Sequence, residues 1–160
     1  MSPIDMRKIL EIPSAAGLLI SSHSGPVSTS GEDSFWEVTR AVRKDMLAAQ
    51  SADGARHFVG AISAMVAEEH NARDFYESIV NGPLQHELMV TNYAGYKART
   101  EYGSMKITDL FTGSSSMTPD LQKVSVLTLN GRLGMTLVAR DLFSDLLSGA
   151  SKILTEAVRS

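Results

Sequence analysis

Apolar and polar positions alternate most clearly between residues 123 and 141, on both sides of Asn130-Gly131. This dipeptide favours a two-residue type I′ turn, because both central positions need a positive φ. We therefore predict a β-hairpin whose face with Val126 and Met135 is nearly all apolar and turned inward, while its mixed opposite face suits partial exposure or a second layer. The predicted cross-strand partners are Leu129 with Arg132, Thr128 with Leu133, Leu127 with Gly134, Val126 with Met135, Ser125 with Thr136, Val124 with Leu137 and Lys123 with Val138.

Three helices are predicted before this hairpin. Ser34, with Glu37 three residues later, forms a capping-box signature, and apolar residues then recur at helical spacing up to about Gln50. Residues 51–54 can end this helix and supply the N-cap of a second one. The apolar positions are Phe35, Val38, Val42, Met46 and Ala49 in the first helix, Phe58, Ile62, Met65 and Val66 in the second, and Phe75, Tyr76 and Ile79 in a third that ends at Gly82-Pro83.

Short apolar runs predict the remaining strands. The segments are 3–13, a strand end followed by a helical turn; 17–24, a strand ending at Gly25-Pro26; 87–92, a strand; 93–103, a loop with tyrosines; 104–111, a strand; and 113–119, a connection. A closing helix carries an apolar stripe that contains Phe143, Leu147, Ala150 and Leu154. Together these elements predict one α+β domain over residues 1–160, a two-layer sandwich with helices on one face of a mixed, largely antiparallel sheet.

Composition narrows the functional classes. The 160 residues are 43% hydrophobic and 21% charged, as in an ordinary globular chain. A net charge of −3, with scattered Lys and Arg, supplies no positive field for nucleic acid. Zero cysteines exclude disulfides and thiolate chemistry. No apolar run reaches the roughly 18 residues of a membrane span, and the first residues lack the apolar region of a signal peptide, so we expect a cytoplasmic protein without a membrane partner.

A metal site is one candidate chemistry. His70 and Asp74 are four residues apart and can share a helix face, next to Glu68 and Glu69. The zinc pattern His-Glu-x-x-His is missing, however, and no third ligand is placed nearby. These residues therefore favour a surface or packing role over a metal site.

Nucleophilic and nucleotide sites are also weakly indicated. Ser21-Ser22-His23 resembles a nucleophile beside a base, but neighbours on a strand point to opposite faces and no Gly-x-Ser-x-Gly elbow occurs. The glycines at 131 and 134, and the Gly-Ser-Ser-Ser of residues 113–116, resemble phosphate cradles, yet neither stands in a strand-loop-helix unit. We expect a strand end in the first case and no nucleotide site in the second.

Five segments carry a family resemblance through their order and spacing. They are residues 3–10 (Pro-Ile-Asp-Met-Arg-Lys-Ile-Leu), 35–43 (Phe-Trp-Glu-Val-Thr-Arg-Ala-Val-Arg), 88–95 (Leu-Met-Val-Thr-Asn-Tyr-Ala-Gly), 101–103 (Glu-Tyr-Gly), and the Asn-Gly-Arg-Leu hairpin of 130–133 with its closing helix. Their order resembles the C-terminal half of the chloramphenicol-acetyltransferase-like superfamily, which includes nonribosomal peptide condensation domains, alcohol acetyltransferases and BAHD acyltransferases. In that superfamily, the first segment reads roughly Val-Asp-x-Arg-x-x-Leu, and BAHD enzymes carry Asp-Phe-Gly-Trp-Gly at the fourth.

The sequence departs from the superfamily at its catalytic motif. Members carry His-His-x-x-x-Asp-Gly in the N-terminal half, where the second His is the general base that deprotonates the acceptor. The four histidines here, at 23, 57, 70 and 86, include no such pair. We therefore assign no catalytic residue and expect the isolated chain to show no acyl transfer from acetyl coenzyme A.

The resemblance implies an acyltransferase half that takes an acyl group from coenzyme A or a carrier-protein phosphopantetheine thioester to a hydroxyl or amine. No covalently bound cofactor is implied. Thr91, Asn92 and Tyr93 would bind substrate along the channel wall, with the loop through Tyr96 and Tyr102 beside them. The implied partner is an N-terminal half or a second copy of the chain. The alternative is a noncatalytic interaction module, or a fragment, that retains the fold.

Overall fold

The structure is a computed structural model that describes residues 1–12, 19–27, 34–68, 71–82, 87–93, 96–113, 120–141 and 144–159. It divides into two compact units, Met1–Leu84 and Gln85–Ser160. In chain order, the elements are β1 (Ser2–Asp5), β2 (Ile20–His23), α1 (Phe35–Ala49), α2 (Ala52–Glu68), α3 (Ala72–Val80), β3 (Leu88–Asn92), β4 (Glu101–Tyr102), β5 (Met105–Lys106), β6 (Gln122–Leu129), β7 (Arg132–Val138) and α4 (Ser144–Arg159). Each unit combines helices with strands, so the predicted α+β class is confirmed.

The strands of the described residues form three separate sheets rather than the single predicted sheet. Strands β1 and β2 pair antiparallel, and β4 and β5 form a short antiparallel ladder. The third sheet has the order β3-β6-β7, in which β3 is parallel and β7 antiparallel to β6. Mixed pairing is therefore confirmed within this sheet.

The first unit begins with the expected strand and turn. After β1, the carbonyl of Met6 accepts from the N–H of Leu10 at 2.9 Å, which closes a helical turn. In the register of β1 with β2, Ile4 lies opposite Ser21, and both are buried. Residues 13–18, which include Pro13 and the start of the predicted strand 17–24, lie outside the described residues, as do residues 28–33.

All three predicted helices of this unit are present, and polar side chains define their starts. Ser34 caps α1: its N–H donates to Glu37 Oε2 at 2.9 Å, and its Oγ accepts from the Glu37 N–H at 3.3 Å. Ser51 caps α2 by accepting from the Gly54 N–H at 3.0 Å. The side chain of Asn71 caps α3. The capping box is thus confirmed, and Ser51 supplies the second N-cap.

Helices α1 and α2 contact each other, and both contact β2. A Cβ on Gly54 would lie 2.6 Å from the Ala49 carbonyl oxygen, so the absent side chain allows the close turn between the helices. Ala55 is the buried residue of α2, and no residue of α1 is buried. Of the predicted α2 face, Phe58, Ile62 and Met65 are half-buried, whereas Val66 is exposed.

The central hairpin has the predicted register at every pair, including Val126 with Met135. Asn130 and Gly131 have φ values of 51° and 76°, the positive values that a type I′ turn requires. The turn dipeptide and the strand alternation therefore specify this part of the chain locally.

The buried face of this hairpin differs from the prediction near the turn. Leu127 and Leu129 on the mixed face are buried, whereas Thr128 and Leu133 on the predicted inner face are exposed. Farther from the turn, Val124 is buried on the predicted face. Both faces are thus covered in part, and the interpretation of a single inside is wrong at the turn end.

Residues 107–113 supply the second layer on the mixed face. The Ile107 carbonyl accepts from Asn130 Nδ2 at 3.5 Å, and Asp109 forms an ion pair with Arg132 at 3.7 Å. A Cβ built on Gly134 would lie 3.7 Å from the Leu110 carbonyl oxygen, so the segment also passes that position. The strand predicted over 104–111 is therefore limited to Met105–Lys106, because the rest of the segment lies against the hairpin instead of joining a sheet.

The closing helix is confirmed as α4, which contacts β7. On its apolar stripe, Leu147 and Ala150 are half-buried and Leu154 is exposed. Phe143, at the start of the predicted stripe, lies outside the described residues, as do Pro83 and the connection 114–119.

Candidate functional site

The end of β3 is the candidate site that the sequence indicates. Asn92 lies opposite Val126 of β6, and the N–H of Tyr93 donates to the Val126 carbonyl at 2.8 Å. Because side chains alternate along a strand, Thr91 and Asn92 point to opposite faces of the sheet. Thr91 is half-buried, while Asn92 and Tyr93 are exposed. The polar groups of this segment therefore lie at the surface of the second unit.

The tyrosine-containing loop continues from this strand end. The N–H of Tyr96 donates to the Tyr93 carbonyl at 3.2 Å. Residues 94–95 lie outside the described residues. Tyr93 is 37% exposed, Tyr96 53% and Tyr102 46%. These partly exposed rings suit a contact surface, since a tyrosine buries its ring and keeps its hydroxyl in water.

Arg99 makes two contacts near the C-terminal end of this loop. Its guanidinium lies 5.0 Å from the centre of the Tyr102 ring, and its Nε donates to the Glu101 carbonyl at 2.7 Å. A cation over an aromatic face is favourable, and the second contact fixes the guanidinium. Sequence reasoning singled out Tyr102 but missed Arg99, because neither residue lies on a helix, where a spacing of three would predict contact.

The contact of Asp109 with Arg132 was also missed. These residues are separated by most of the segment that precedes the hairpin, so no local period connects them. Close by in sequence, the Thr112 hydroxyl is buried and has no hydrogen-bond partner among the described residues.

The metal alternative gains no support in the described residues. They contain no group of three His, Asp or Glu side chains placed to hold a metal ion. Asp74 instead accepts from the Asn71 side-chain amide in the first turn of α3. His70 and Glu69 lie outside the described residues, as does His86.

The Ser21-Ser22-His23 alternative is also unsupported. Ser21 is 2% exposed, and its Oγ has no hydrogen-bond partner among the described residues. His23 shares a strand face with Ser21, but within the described part of the chain no hydrogen bond joins the two side chains. The expected strand end is confirmed, because β2 ends at His23.

Two carboxyl groups have perturbed pKa values for structural reasons. The backbone N–H of Arg7 lowers the pKa of Asp5, with help from the Arg7 guanidinium at 3.0 Å. The Ser34 hydroxyl and then the Ser34 N–H lower the pKa of Glu37. Both carboxylates stabilise a local turn or a helix start, so neither indicates an active site.

Two further findings bear on the function. In the described residues, no helix combines the length and apolar character needed to cross a membrane. No family model, curated protein or solved structure matches this chain. The function is therefore inferred from the residues and their geometry alone.

Proposed function

We propose that this chain is the C-terminal half of an acyltransferase of the chloramphenicol-acetyltransferase-like superfamily and acts in the cytoplasm. It would form one wall of a channel in which an acyl group passes from coenzyme A or a carrier-protein thioester to a hydroxyl or amine. The observation that supports the proposal most is the exposure of Asn92, the last residue of β3, and of Tyr93, which follows it. Burial of these side chains in the core of their own unit would have excluded substrate contact.

The side chains at the end of β3 have chemistry suited to this role. The Thr91 hydroxyl and the Asn92 amide can hydrogen-bond an acyl carbonyl or the amides of a pantetheine arm. The Tyr93 ring offers apolar contact with its hydroxyl toward water. Since Thr91 and Asn92 point to opposite faces, the strand end itself must border the channel for both to contact substrate.

This half would bind and position substrate without moving the proton. The described part of the second unit contains no histidine, and His23 and His57 belong to the first unit. The general base would therefore come from an N-terminal half with the His-His-x-x-x-Asp-Gly motif. A placed base contributes about 10²–10⁴-fold to such a reaction, so its absence leaves little turnover.

Two experiments test the proposal. First, the purified chain is assayed for thiol release from acetyl coenzyme A with hydroxyl and amine acceptors, and we expect no turnover above background. Second, proteins that copurify with the chain from its source are identified by mass spectrometry, and we expect a chain with the paired histidines. Turnover by the isolated chain that His23→Ala or His57→Ala abolishes would overturn the proposal.

Adding the copurified half allows a sharper test at the site. Asn92→Ala should raise the KM for the acyl donor by up to about tenfold, the effect of one or two lost hydrogen bonds. Asn81→Ala, at the C-terminal cap of α3, is the matched control and should leave KM unchanged. Equal effects of the two variants would remove Asn92 from the site.

A noncatalytic interaction module is the second candidate, and the surface of α1 favours it. Phe35 and Trp36 are about half exposed and stack edge to face at 5.0 Å between ring centroids, and Leu47 is exposed on the same helix. Exposed large apolar groups are typical of interaction surfaces. This function predicts binding to the copurified chain that Trp36→Ala weakens, with no turnover in the complex.

A further inference from the structure

Asn130 and Gly131, at the tip of the β6–β7 hairpin, form a pair that can react within the chain. Both residues are exposed, and a Cβ built on Gly131 would have no described atom within 4 Å beyond its chain neighbours. The backbone N–H of Gly131 has no hydrogen-bond acceptor among the described residues. The nitrogen is therefore an accessible nucleophile, because glycine has no side chain to shield it and loss of its proton breaks no hydrogen bond within that part of the chain.

The side-chain amide of Asn130 is the matching electrophile. Its Nδ2 donates to the Ile107 carbonyl at 3.5 Å, a long and therefore weak hydrogen bond. Attack of the Gly131 nitrogen on Asn130 Cγ closes a succinimide ring, and proximity favours such a reaction within one molecule. The exposed turn leaves water free to reach the ring afterwards.

We propose that Asn130 deamidates without an enzyme and that the change weakens the contact between the hairpin and residues 107–113. The Gly131 nitrogen loses its proton to solvent and bonds to Asn130 Cγ, and Nδ2 takes up a proton and leaves as ammonia. Water then opens the ring at either carbonyl, which gives aspartate or isoaspartate. The reaction consumes one water, releases one ammonia and involves no oxidation or reduction.

Two other asparagines are held in ways that oppose the same reaction. Asn92 precedes Tyr93, whose N–H already donates to the Val126 carbonyl at 2.8 Å and whose side chain adds bulk next to the nitrogen. The side-chain oxygen of Asn71 caps α3 by accepting two backbone N–H groups. Both should therefore react more slowly than Asn130.

Asn81-Gly82 is the second Asn-Gly pair of the chain and gives an internal comparison. Asn81 is the C-terminal cap of α3. A Cβ on Gly82 would lie 2.7 Å from the Ser78 carbonyl oxygen, whereas Gly131 has open space at the same position. The backbone of Gly82 thus packs against the end of its helix, so we expect Asn81 to react more slowly than Asn130.

Deamidation changes the contact of the turn with residues 107–113. A carboxylate at position 130 cannot donate to the Ile107 carbonyl, so the hydrogen bond of Nδ2 is lost. The isoaspartate product also adds a methylene group to the main chain within the type I′ turn that sets the hairpin register. This inference goes beyond the proposed acyl transfer and does not depend on it.

The first test compares the asparagines within one sample. The folded native chain is incubated in mildly alkaline buffer, and timed samples are digested at acidic pH, where the reaction stops, and mapped by mass spectrometry. Asn130 should deamidate about tenfold faster than Asn92, the effect of the one backbone hydrogen bond that must break at Tyr93. Labelling by an isoaspartyl methyltransferase should detect isoaspartate beside aspartate, as the succinimide requires.

The second test measures the loss of contact. Asn130→Asp carries one product from the start, and Asn81→Asp is the matched control with the same change of charge. Hydrogen exchange followed by mass spectrometry should be faster over residues 107–113 in Asn130→Asp by up to about tenfold, the effect of one lost hydrogen bond, and unchanged there in Asn81→Asp. Circular dichroism confirms the fold of both variants.

Three results would overturn the inference. The first is a folded native chain in which Asn130 reacts no faster than Asn92, a measurement that needs no variant to fold. The second is aspartate without isoaspartate, which excludes the succinimide. The third is unchanged exchange over residues 107–113 in both Asn130→Asp and the deamidated native chain. None of these measurements involves acyl transfer, so the two proposals fail separately.

Discussion

The hairpin β6–β7 and the helix pair α1–α2 differ in how their apolar residues are covered. In the hairpin strand β6, Val124, Leu127 and Leu129 are buried. In the helix pair, only Ala55 is buried, although both helices have regular apolar stripes. The hairpin gains its burial from a sheet neighbour and a covering segment of its own unit. On the apolar face of α1, by contrast, Phe35 and Val42 are exposed and the other three residues are only half-buried.

This difference separates two ways in which a sequence specifies structure. A hairpin is fixed by a turn whose backbone angles few residues adopt, so its pairing follows from a short stretch of sequence. A helix is fixed by propensity and caps, and its apolar stripe indicates a face without indicating the partner of that face. Substitutions in the two regions should therefore act through different physical causes.

The largest expected effect is in the hairpin core. Leu127→Ala should destabilise the chain by about 2–5 kcal/mol, because Leu127 is 4% exposed and its truncation leaves a cavity under residues 107–113. Urea unfolding followed by circular dichroism measures the change. Leu133→Ala, at a half-exposed position of the same hairpin, is the control and should change stability by about 0.5 kcal/mol or less. Similar losses for both would show that the mixed face is no better covered than the opposite face at the turn end.

An intermediate effect is expected where α1 meets α2. Gly54→Ala should cost about 1–3 kcal/mol, because the new Cβ would lie 2.6 Å from the Ala49 carbonyl oxygen and 2.7 Å from that of Ala48. Gly60→Ala within α2 has no described atom within 4 Å of the new Cβ and should stabilise by about 0.5–1 kcal/mol through helix propensity. The midpoint temperature of thermal unfolding should therefore fall for Gly54→Ala and rise for Gly60→Ala. Equal shifts of the two midpoints would contradict the close approach of α1 and α2 at this junction.

The smallest effect concerns the start of α1. Ser34→Ala should cost about 0.5–2 kcal/mol, because it removes the acceptor of the Glu37 N–H. Unfolding at neutral pH, followed by the helical circular dichroism signal, measures this loss. A variant as stable as the native chain would show that the cap adds nothing to the fold.

The same cap predicts a pH dependence with a definite sign. Because the pKa of Glu37 is lowered in the folded chain, its contribution is fully present above the usual Glu pKa and is lost as the pH falls through the lowered value. Glu37→Gln retains an acceptor at this position but cannot titrate, so the stability difference between it and the native chain should shrink in acid. A difference that stays constant between neutral and acidic pH would contradict this role of Glu37.

Much of the local structure was predictable because its causes are local. The Asn130-Gly131 turn, the Ser34–Glu37 capping box and the strand before Tyr93 follow from residues within a few positions of one another. The prediction of a strand over 104–111 is wrong beyond Lys106, because the path of this segment depends on residues that are distant in sequence. Its alternation of Met105 and Ile107 suits a strand, but contacts with the hairpin decide the path of the following residues.

The candidate site was predictable in part. The sequence located Thr91, Asn92 and Tyr93 at a strand end, and the structure shows that the latter two are exposed. It did not indicate that Arg99 covers the Tyr102 ring, nor that β3 pairs parallel with β6 and occupies a sheet edge. Parallel pairing joins segments that are distant in the chain, so it leaves no short-range signal.

The sequence by itself determined the α+β class, the helices with the N-caps of α1 and α2, and the hairpin with its register, because turn angles, capping side chains and side-chain periods act over a few residues. The tertiary structure decided which parts of each hairpin face are buried and that β3 is an end strand of its sheet. It also decided that Asp109 meets Arg132 across the intervening chain. These features depend on which segments exclude water from each other, and that free energy belongs to contacts between segments rather than to any one of them.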